Sequence, residues 1–389
     1  MSLVERDAKY LFHTYKRLPL EIERGEGSYL ITKDGDRYLD MFAGIAVNAL
    51  GYSHPVVNAA ILKQVGKYLH VSNMFYQEPQ VLLAERLLQE SGYSKLFFTN
   101  SGTEAMEGAL KLARKWGTPQ GKRTIIGLSD SFHGRTYGSL SITGREKYRE
   151  GFEPFLPDTT IAKFNDVASL EKLISAETLA VVVEFVQGEG GVNLVSEEFV
   201  SALRDLRNRF GFLLIADEIQ TGMGRTGKLF AFNHFDITPD VVVVAKALGG
   251  GLPLGAFLGS KNLGDVLTPG VHGTTFGGNP VACAAGLATL TQILDHGVLK
   301  NVQSVGAQMK NKFETLQSQF PRKIKEVRGL GLMLGVEMYD DATKIVDTLQ
   351  EAKVLVNLTQ EFVLRWVPPL TLSAKEAEIA LSSFEGALQ

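Results

Sequence analysis

The stretch Asp240-Val241-Val242-Val243-Val244-Ala245-Lys246 places four consecutive valines between an aspartate and a lysine, and Gly249-Gly250-Gly251 follows at once. A half-exposed strand alternates apolar and polar side chains, so an unbroken apolar run over Val241–Ala245 reads as a strand covered on both faces. Similar runs lie on either side: Leu96–Thr99, Thr124–Leu128, Ala180–Val186, Phe212–Asp217 and Ala256–Gly259. Helical patterns separate them. In Glu198–Phe210, for example, Phe199, Leu203 and Leu206 fall on one face and charged residues on the other. Covered strands alternating with helices predict an α/β fold with a mostly parallel central sheet flanked by helices.

The pattern changes towards the ends of the chain. Helical stretches at Val302–Phe320, Ala342–Ala352 and Ala374–Ala387 surround short strands at Gly331–Met338 and Val363–Val367, which predicts a smaller α+β domain. Ser28–Asp40 reads as a hairpin turning at Lys33-Asp34-Gly35-Asp36. The expected organisation is an N-terminal segment, 1–45, that joins a C-terminal small domain, 291–389, with a large domain over 46–290 between them.

The composition sets limits on function. With 389 residues, 44% hydrophobic and 21% charged, the chain is an ordinary globular one, long enough for two domains. A net charge of -3 without a basic face argues against nucleic acid as a partner. The single cysteine, Cys283, cannot close an internal disulfide, and neither a signal-peptide pattern nor a membrane-spanning apolar run is evident. A cytoplasmic enzyme without membrane attachment is therefore expected. Seven scattered histidines lack the paired spacing of metal ligands, so no metal is expected.

Three features bear on chemistry. Asn100-Ser101-Gly102-Thr103-Glu104-Ala105 follows a strand and opens a helix, where free amides, a glycine and hydroxyls can receive a phosphate. Taken alone, the same residues read equally as a helix cap. Asp217 and Lys246 each follow an apolar strand, at the carboxyl ends that line the crevice of an open α/β sheet. They also suit a buried ion pair, but the glycine run after Lys246 leaves room for something flat and bulky. Pyridoxal phosphate needs all three parts: a phosphate cradle, an amine for its aldehyde, and a carboxylate opposite the pyridine nitrogen.

At these residues the chain resembles the class-III pyridoxal-phosphate aminotransferases of fold type I. The resemblance runs over nearly its whole length and rests on Asn100–Ala105, Ser131–Thr136 (SFHGRT), Gln187–Gly191 (QGEGG), Asp217–Gly227 (DEIQTGMGRTG), Ala245–Gly251 (AKALGGG), Gly273–Pro280 (GTTFGGNP) and Leu364–Pro369 (LRWVPP). It implies that Lys246 forms the Schiff base and shuttles protons, and that Asp217 pairs with the pyridine nitrogen. Phe132 is expected to stack on the ring and Gln220 to meet the phenolic oxygen, with Ser101, Gly102, Thr103, Glu218 and Ile219 also at the cofactor. Thr275 is expected to reach the phosphate, and Thr274 the substrate, of a second subunit, which implies a homodimer.

The substrate reading follows from the same resemblance. Arg135 is expected to take the distal carboxylate, and Arg365 the α-carboxylate of glutamate, while Glu189 pairs with Arg365 when an ω-amine is bound. That arrangement implies transfer of the δ-amino group of N2-acetyl-L-ornithine to 2-oxoglutarate, giving the semialdehyde and glutamate in arginine biosynthesis. Succinylornithine, ornithine, 4-aminobutyrate or a carrier-linked lysine precursor are alternative donors. Two positions depart from common family usage. Phe185 stands where proline is frequent, and His133 where some relatives have tryptophan. The rival motif Gly222-Met223-Gly224-Arg225-Thr226-Gly227 matches a dinucleotide fingerprint, but no helix-start pattern follows it.

Overall fold

The computed structural model describes residues 1–389. A seven-stranded sheet forms its centre, in the order Lys95–Thr99, Gly255–Gly259, Val241–Val244, Leu213–Asp217, Thr178–Val183, Thr124–Leu128 and Thr159–Ala162. All neighbours run parallel except Gly255–Gly259, which is antiparallel to both strands beside it. The four valines divide by face. Val241 and Val243 pack with Ala105, Ala109 and Leu112 of the helix Gly102–Gly117, whereas Val242 and Val244 enter the larger core on the other side. Fully burying one such side chain contributes on the order of 1.5–3 kcal/mol, so a polar residue at any of these four positions would forfeit at least that much stability.

In this central sheet two details differ from the sequence reading. The edge strand Thr159–Ala162 has only Ala162 buried, and its threonines gave no apolar run to recognise. The strand expected over Ala180–Val186 stops at Val183. Beyond it the chain turns because the Glu184 carboxylate accepts hydrogen bonds from Phe132 N and Gly188 N, and Val186–Gln187 pairs with Asn193–Leu194 in a separate small hairpin.

The C-terminal region is an antiparallel sheet of Ile324–Leu330, Met333–Met338, Val363–Trp366 and Asn357–Thr359, backed by the helices Val298–Gln319 and Ala374–Ala387. Trp366 packs between Phe313 and Phe384 at ring distances of 5.1 and 5.7 Å. The N-terminal hairpin, Tyr29–Thr32 with Arg37–Asp40, forms as expected and pairs with Ile22–Glu26 on one side. On its other side it takes Val354–Leu355 as a parallel fourth strand, joining the two ends of the chain. No single helix is long and apolar enough to cross a membrane.

Candidate active site

Because the parallel strands share a direction, the segments after Val183, Asp217 and Val244 emerge on one edge of the sheet, where they bound a cavity of about 440 Å³. Ser101, Gly102, Thr103, Phe132, Asp217 and Lys246 line it. Asp217 is in register with Val243, which puts its carboxylate beside the turn that carries Lys246.

Lys246 starts a short 3-10 turn with φ of 48°, a left-handed conformation that a residue with a side chain adopts only at a cost. Gly250, at φ 59°, completes the turn; a Cβ there would stand 2.4 Å from Thr289 Oγ1. Burial, helped by the nearby Arg365 guanidinium, pushes the Lys246 ammonium down to about 8 against the pull of Glu189, Asp217 and Glu184. A lysine in that range supplies the neutral, nucleophilic amine near physiological pH.

Asp217 is buried and fully engaged on its protein side. Oδ2 lies 2.7 Å from His133 Nδ1, and Oδ1 accepts from Ile219 N at 3.0 Å. His133 Nε2 is also buried and has no partner. Burial lowers the His133 pKa, but Asp217 and Glu184 outweigh it and hold it above the usual value. Glu184 also lines the cavity, and burial pushes its carboxyl up to about 7.

The helix Gly102–Gly117 begins at the cavity wall. Ser101 caps it by accepting from Glu104 N at 3.3 Å, which leaves the amides of Gly102 and Thr103 without partners in the helix ladder. Both readings of this segment therefore hold together: the serine caps, and the amides remain open to an anion. A Cβ at Gly102 would come within 2.8 Å of Ile219 Cδ1. Thr103 Oγ1 is held by the hydroxyls of Thr136 and Ser139 at 2.7 and 2.9 Å.

The charged residues expected to meet substrate also converge. Arg365 is buried on the strand Val363–Trp366, and its Nη1 donates to Glu189 Oε1 at 2.6 Å and Gln220 Oε1 at 3.1 Å. Its Nε and Nη2 both donate to Asn357 Oδ1. Burial raises the Glu189 pKa, but Arg365, Lys246 and Arg145 together hold it below the usual carboxylate range. Arg135 lies at the cavity wall with its guanidinium 4.0 Å from the Tyr148 ring and 5.4 Å from the Phe132 ring. Aromatic faces on this scale hold an arginine without neutralising it.

The family model for class-III aminotransferases matches residues 10–388. The chain belongs to the class-III aminotransferases. Curated relatives include the acetylornithine aminotransferases of Clostridium acetobutylicum, 43% identical over 98% of this chain and 99% of the relative, and of Aquifex aeolicus, 44% identical over 96% and 98%. Among solved structures, the ornithine aminotransferase of Toxoplasma gondii superposes with a TM-score of 0.94 at 32% identity, covering 99% of this chain and 94% of its own. The acetylornithine aminotransferase of Elizabethkingia anophelis gives 0.88 at 31%, covering 99% and 97%. The fold is that of the type I aminotransferases.

Pyridoxal phosphate is the cofactor of this aminotransferase, and the cavity fits it. Open helix amides suit a phosphate, and Asp217 with its histidine suits a ring nitrogen. Lys246, with its lowered pKa, suits the cofactor's aldehyde. Of the residues expected at the site, Ser101, Gly102, Thr103, Phe132, Arg135, Glu189, Asp217, Ile219, Gln220 and Lys246 line this one cavity, with Arg365 bonded to two of them. Glu218 does not. Its carboxylate accepts from Ala231 N and Phe232 N at 2.9 and 3.0 Å and from the Thr221 hydroxyl, because successive side chains at a strand end point to opposite faces. Thr274 and Thr275 also lie outside the cavity of their own chain; Thr274 Oγ1 accepts from Asn100 Nδ2 at 3.3 Å, and Thr275 is exposed. Sequence reasoning passed over Glu184, Arg145 and Asn357, and it noted His133 only for an unusual residue choice.

Proposed function

We propose that this aminotransferase moves the δ-amino group of N2-acetyl-L-ornithine to 2-oxoglutarate, forming N-acetyl-L-glutamate 5-semialdehyde and L-glutamate. The observation that carries the reading is the 2.6 Å bond between Arg365 and Glu189 beside Lys246. An ω-amine substrate presents only methylenes where glutamate presents its α-carboxylate. An arginine left facing methylenes would be an unpaired buried cation, at a cost of several kcal/mol, so a displaceable carboxylate suits a site that must take both. The names borne by the curated relatives favour acetylornithine as the donor.

Each side chain then has a task. Bound pyridoxal phosphate supplies an aldehyde that condenses with the substrate amine and a ring that accepts the electron pair released beside it. The amides of Gly102 and Thr103, with the Ser101 and Thr103 hydroxyls, would hold its phosphate. Asp217, steadied by His133, would face the ring nitrogen, Ile219 and Phe132 would flank the ring, and Gln220 would meet the phenolic oxygen. Lys246 Nζ takes the proton from the amine-bearing carbon of the substrate. Arg135 binds the distal carboxylate shared by both substrates, by paired hydrogen bonds. Glu189 covers Arg365 for the amine donor and yields it to the α-carboxylate of the acceptor.

The same reading makes the enzyme a homodimer. Met74 and Phe276 are 88% and 59% exposed and, with Phe75 and Tyr76, form an apolar surface next to Thr274 and Thr275. Asn73 ties the two segments together by donating to Thr274 O and Gly277 O at 3.2 and 3.0 Å. An apolar surface of this kind suits a partner, and Thr275 would complete the partner's phosphate site. The buried lone Cys283 accords with a cytoplasmic enzyme. The strand pairing between Arg37–Asp40 and Val354–Leu355 supports a small domain built from residues 1–45 and 291–389 around a large one at 46–290.

A panel of acetylornithine, succinylornithine, ornithine and 4-aminobutyrate, compared by kcat/KM with 2-oxoglutarate as acceptor, tests the donor. Acetylornithine is expected to lead. Turnover of a simple α-amino donor with none of any ω-amine would overturn the reading.

A further inference from the structure

Arg145 is a nearly buried cation for which the reaction as described has no use. It lies between two short helices, Tyr137–Ser141 and Glu146–Arg149, and does not line the cavity. Its side chain is 5% exposed, and the only carboxylate within ion-pair distance is that of Glu189, whose Oε2 stands 3.9 Å from Arg145 Nη1. The two oxygens of Glu189 thus face two different arginines. Oε1 is bonded to Arg365, and Oε2 lies beyond hydrogen-bond reach of Arg145.

The surroundings determine what can move. The Glu189 carbonyl accepts from Thr359 Oγ1 at 2.6 Å and from Arg145 Nη1 at 2.8 Å, so the backbone is held and the carboxylate shifts by side-chain torsion. Arg145 is held as well, donating to the Tyr148 hydroxyl at 3.2 Å with its guanidinium 4.8 Å from that ring. A carboxylate driven off Arg365 into a buried space without a new partner would lose several kcal/mol. A fixed guanidinium already 3.9 Å from Glu189 Oε2 would remove that loss.

We propose that Arg145 is the second seat of the Glu189 carboxylate, receiving it when an α-carboxylate takes Arg365 and so governing how well the site accepts dicarboxylates. The proposal rests on the reading of Glu189 and Arg365 as a gate. Arg145 is on this view a positioning residue that never touches substrate.

The test uses the holoenzyme and separates the two half-reactions by single-turnover absorbance, with glutarate as an unreactive dicarboxylate inhibitor. In Arg145→Gln, which keeps a donor for the Glu189 carbonyl but loses the charge, the apparent Kd of glutamate and the Ki of glutarate should rise about tenfold. The acetylornithine half-reaction should change by less than about twofold, within the scatter expected of an uncoupled site. Arg145→Lys should recover most of the loss, and the Arg145→Gln effect should vanish in a Glu189→Gln background. A crystal structure with glutarate should show Glu189 Oε2 bonded to Arg145. Equal losses for both substrates, or none, would overturn the proposal. If Glu189→Gln changes the preference between glutamate and acetylornithine while Arg145→Gln does not, the gate stands and Arg145 is excluded. If Glu189→Gln changes nothing, the gate itself fails and takes the proposal with it.

Discussion

His133 Nδ1 meets Asp217 Oδ2 at 2.7 Å, with neither side chain open to solvent. A buried carboxylate stripped of its donor bears the full desolvation cost of that group. His133→Phe is therefore expected to lower the unfolding free energy by about 1–3 kcal/mol, read from the shift in urea midpoint. It should also weaken cofactor retention in equilibrium dialysis. His133→Asn, which keeps a donor, should recover part of both.

Glu189→Gln removes the charge that neutralises Arg365 when no α-carboxylate is present. The second-order constant of the acetylornithine half-reaction should fall about tenfold, equivalent to ~1.4 kcal/mol, while that for glutamate holds or rises. Stopped-flow absorbance with each substrate alone measures both. A uniform loss would show that Glu189 is only structural.

Lys246 is pushed down to about 8, so its amine is protonated below that pH and neutral above it. Recombination of the cofactor-free protein with pyridoxal phosphate should accelerate as pH rises through about 8 and then level off. A rate that is flat between pH 6 and 10 would contradict the assignment. Lys246→Ala should fold, by circular dichroism, and show no transamination.

Gly102→Ala would place its Cβ 2.8 Å from Ile219 Cδ1 at the mouth of the phosphate cradle. Alanine suits a helix better than glycine does, so the fold should persist. Cofactor affinity should drop about tenfold, or ~1.4 kcal/mol, in a fluorescence titration. Ile219→Val in the same chain should restore part of it.

Phe276→Asp puts a charge into the exposed apolar surface beside Thr275. Analytical ultracentrifugation should show a monomer, with activity falling in step. Thr275→Ala should leave the dimer intact yet weaken cofactor binding, by about 0.5–1.5 kcal/mol for one lost hydrogen bond.

Much of this fold was legible because both faces of the sheet are covered, so strands such as Val241–Val244 carry no polar interruption. Thr159–Ala162, at the sheet edge and mostly unburied, had no such mark. Lys246 and Asp217 stood out as polar residues after apolar runs. The same rule points to Glu184 after Val181–Val183, and the strand drawn on to Val186 concealed it. Arg145 could not be found this way. It meets Glu189 across 44 residues of sequence, and nothing local marks either as the other's partner. Glu189 and Arg365, 176 residues apart, were paired only through family resemblance. Glu218 was expected at the cofactor through the family resemblance, and the alternation of side chains at the strand end sends it to Ala231 and Phe232 instead.

The parallel pairing of Val354–Leu355 with Leu39–Asp40 has a consequence for how the chain is made. Lys353 bonds to Asp36, 317 residues earlier, so the N-terminal hairpin leaves the ribosome long before the strand that covers its edge exists. Throughout that interval Leu39 N and Met41 N, which finally donate to Lys353 O and Leu355 O, have only water or a chaperone to bond to. An unpaired edge of this kind invites other chains. Synthesis halted shortly before Val354 should therefore yield a species with its central sheet formed and its first strands adhesive, and the last tenth of translation would decide whether the product stays soluble.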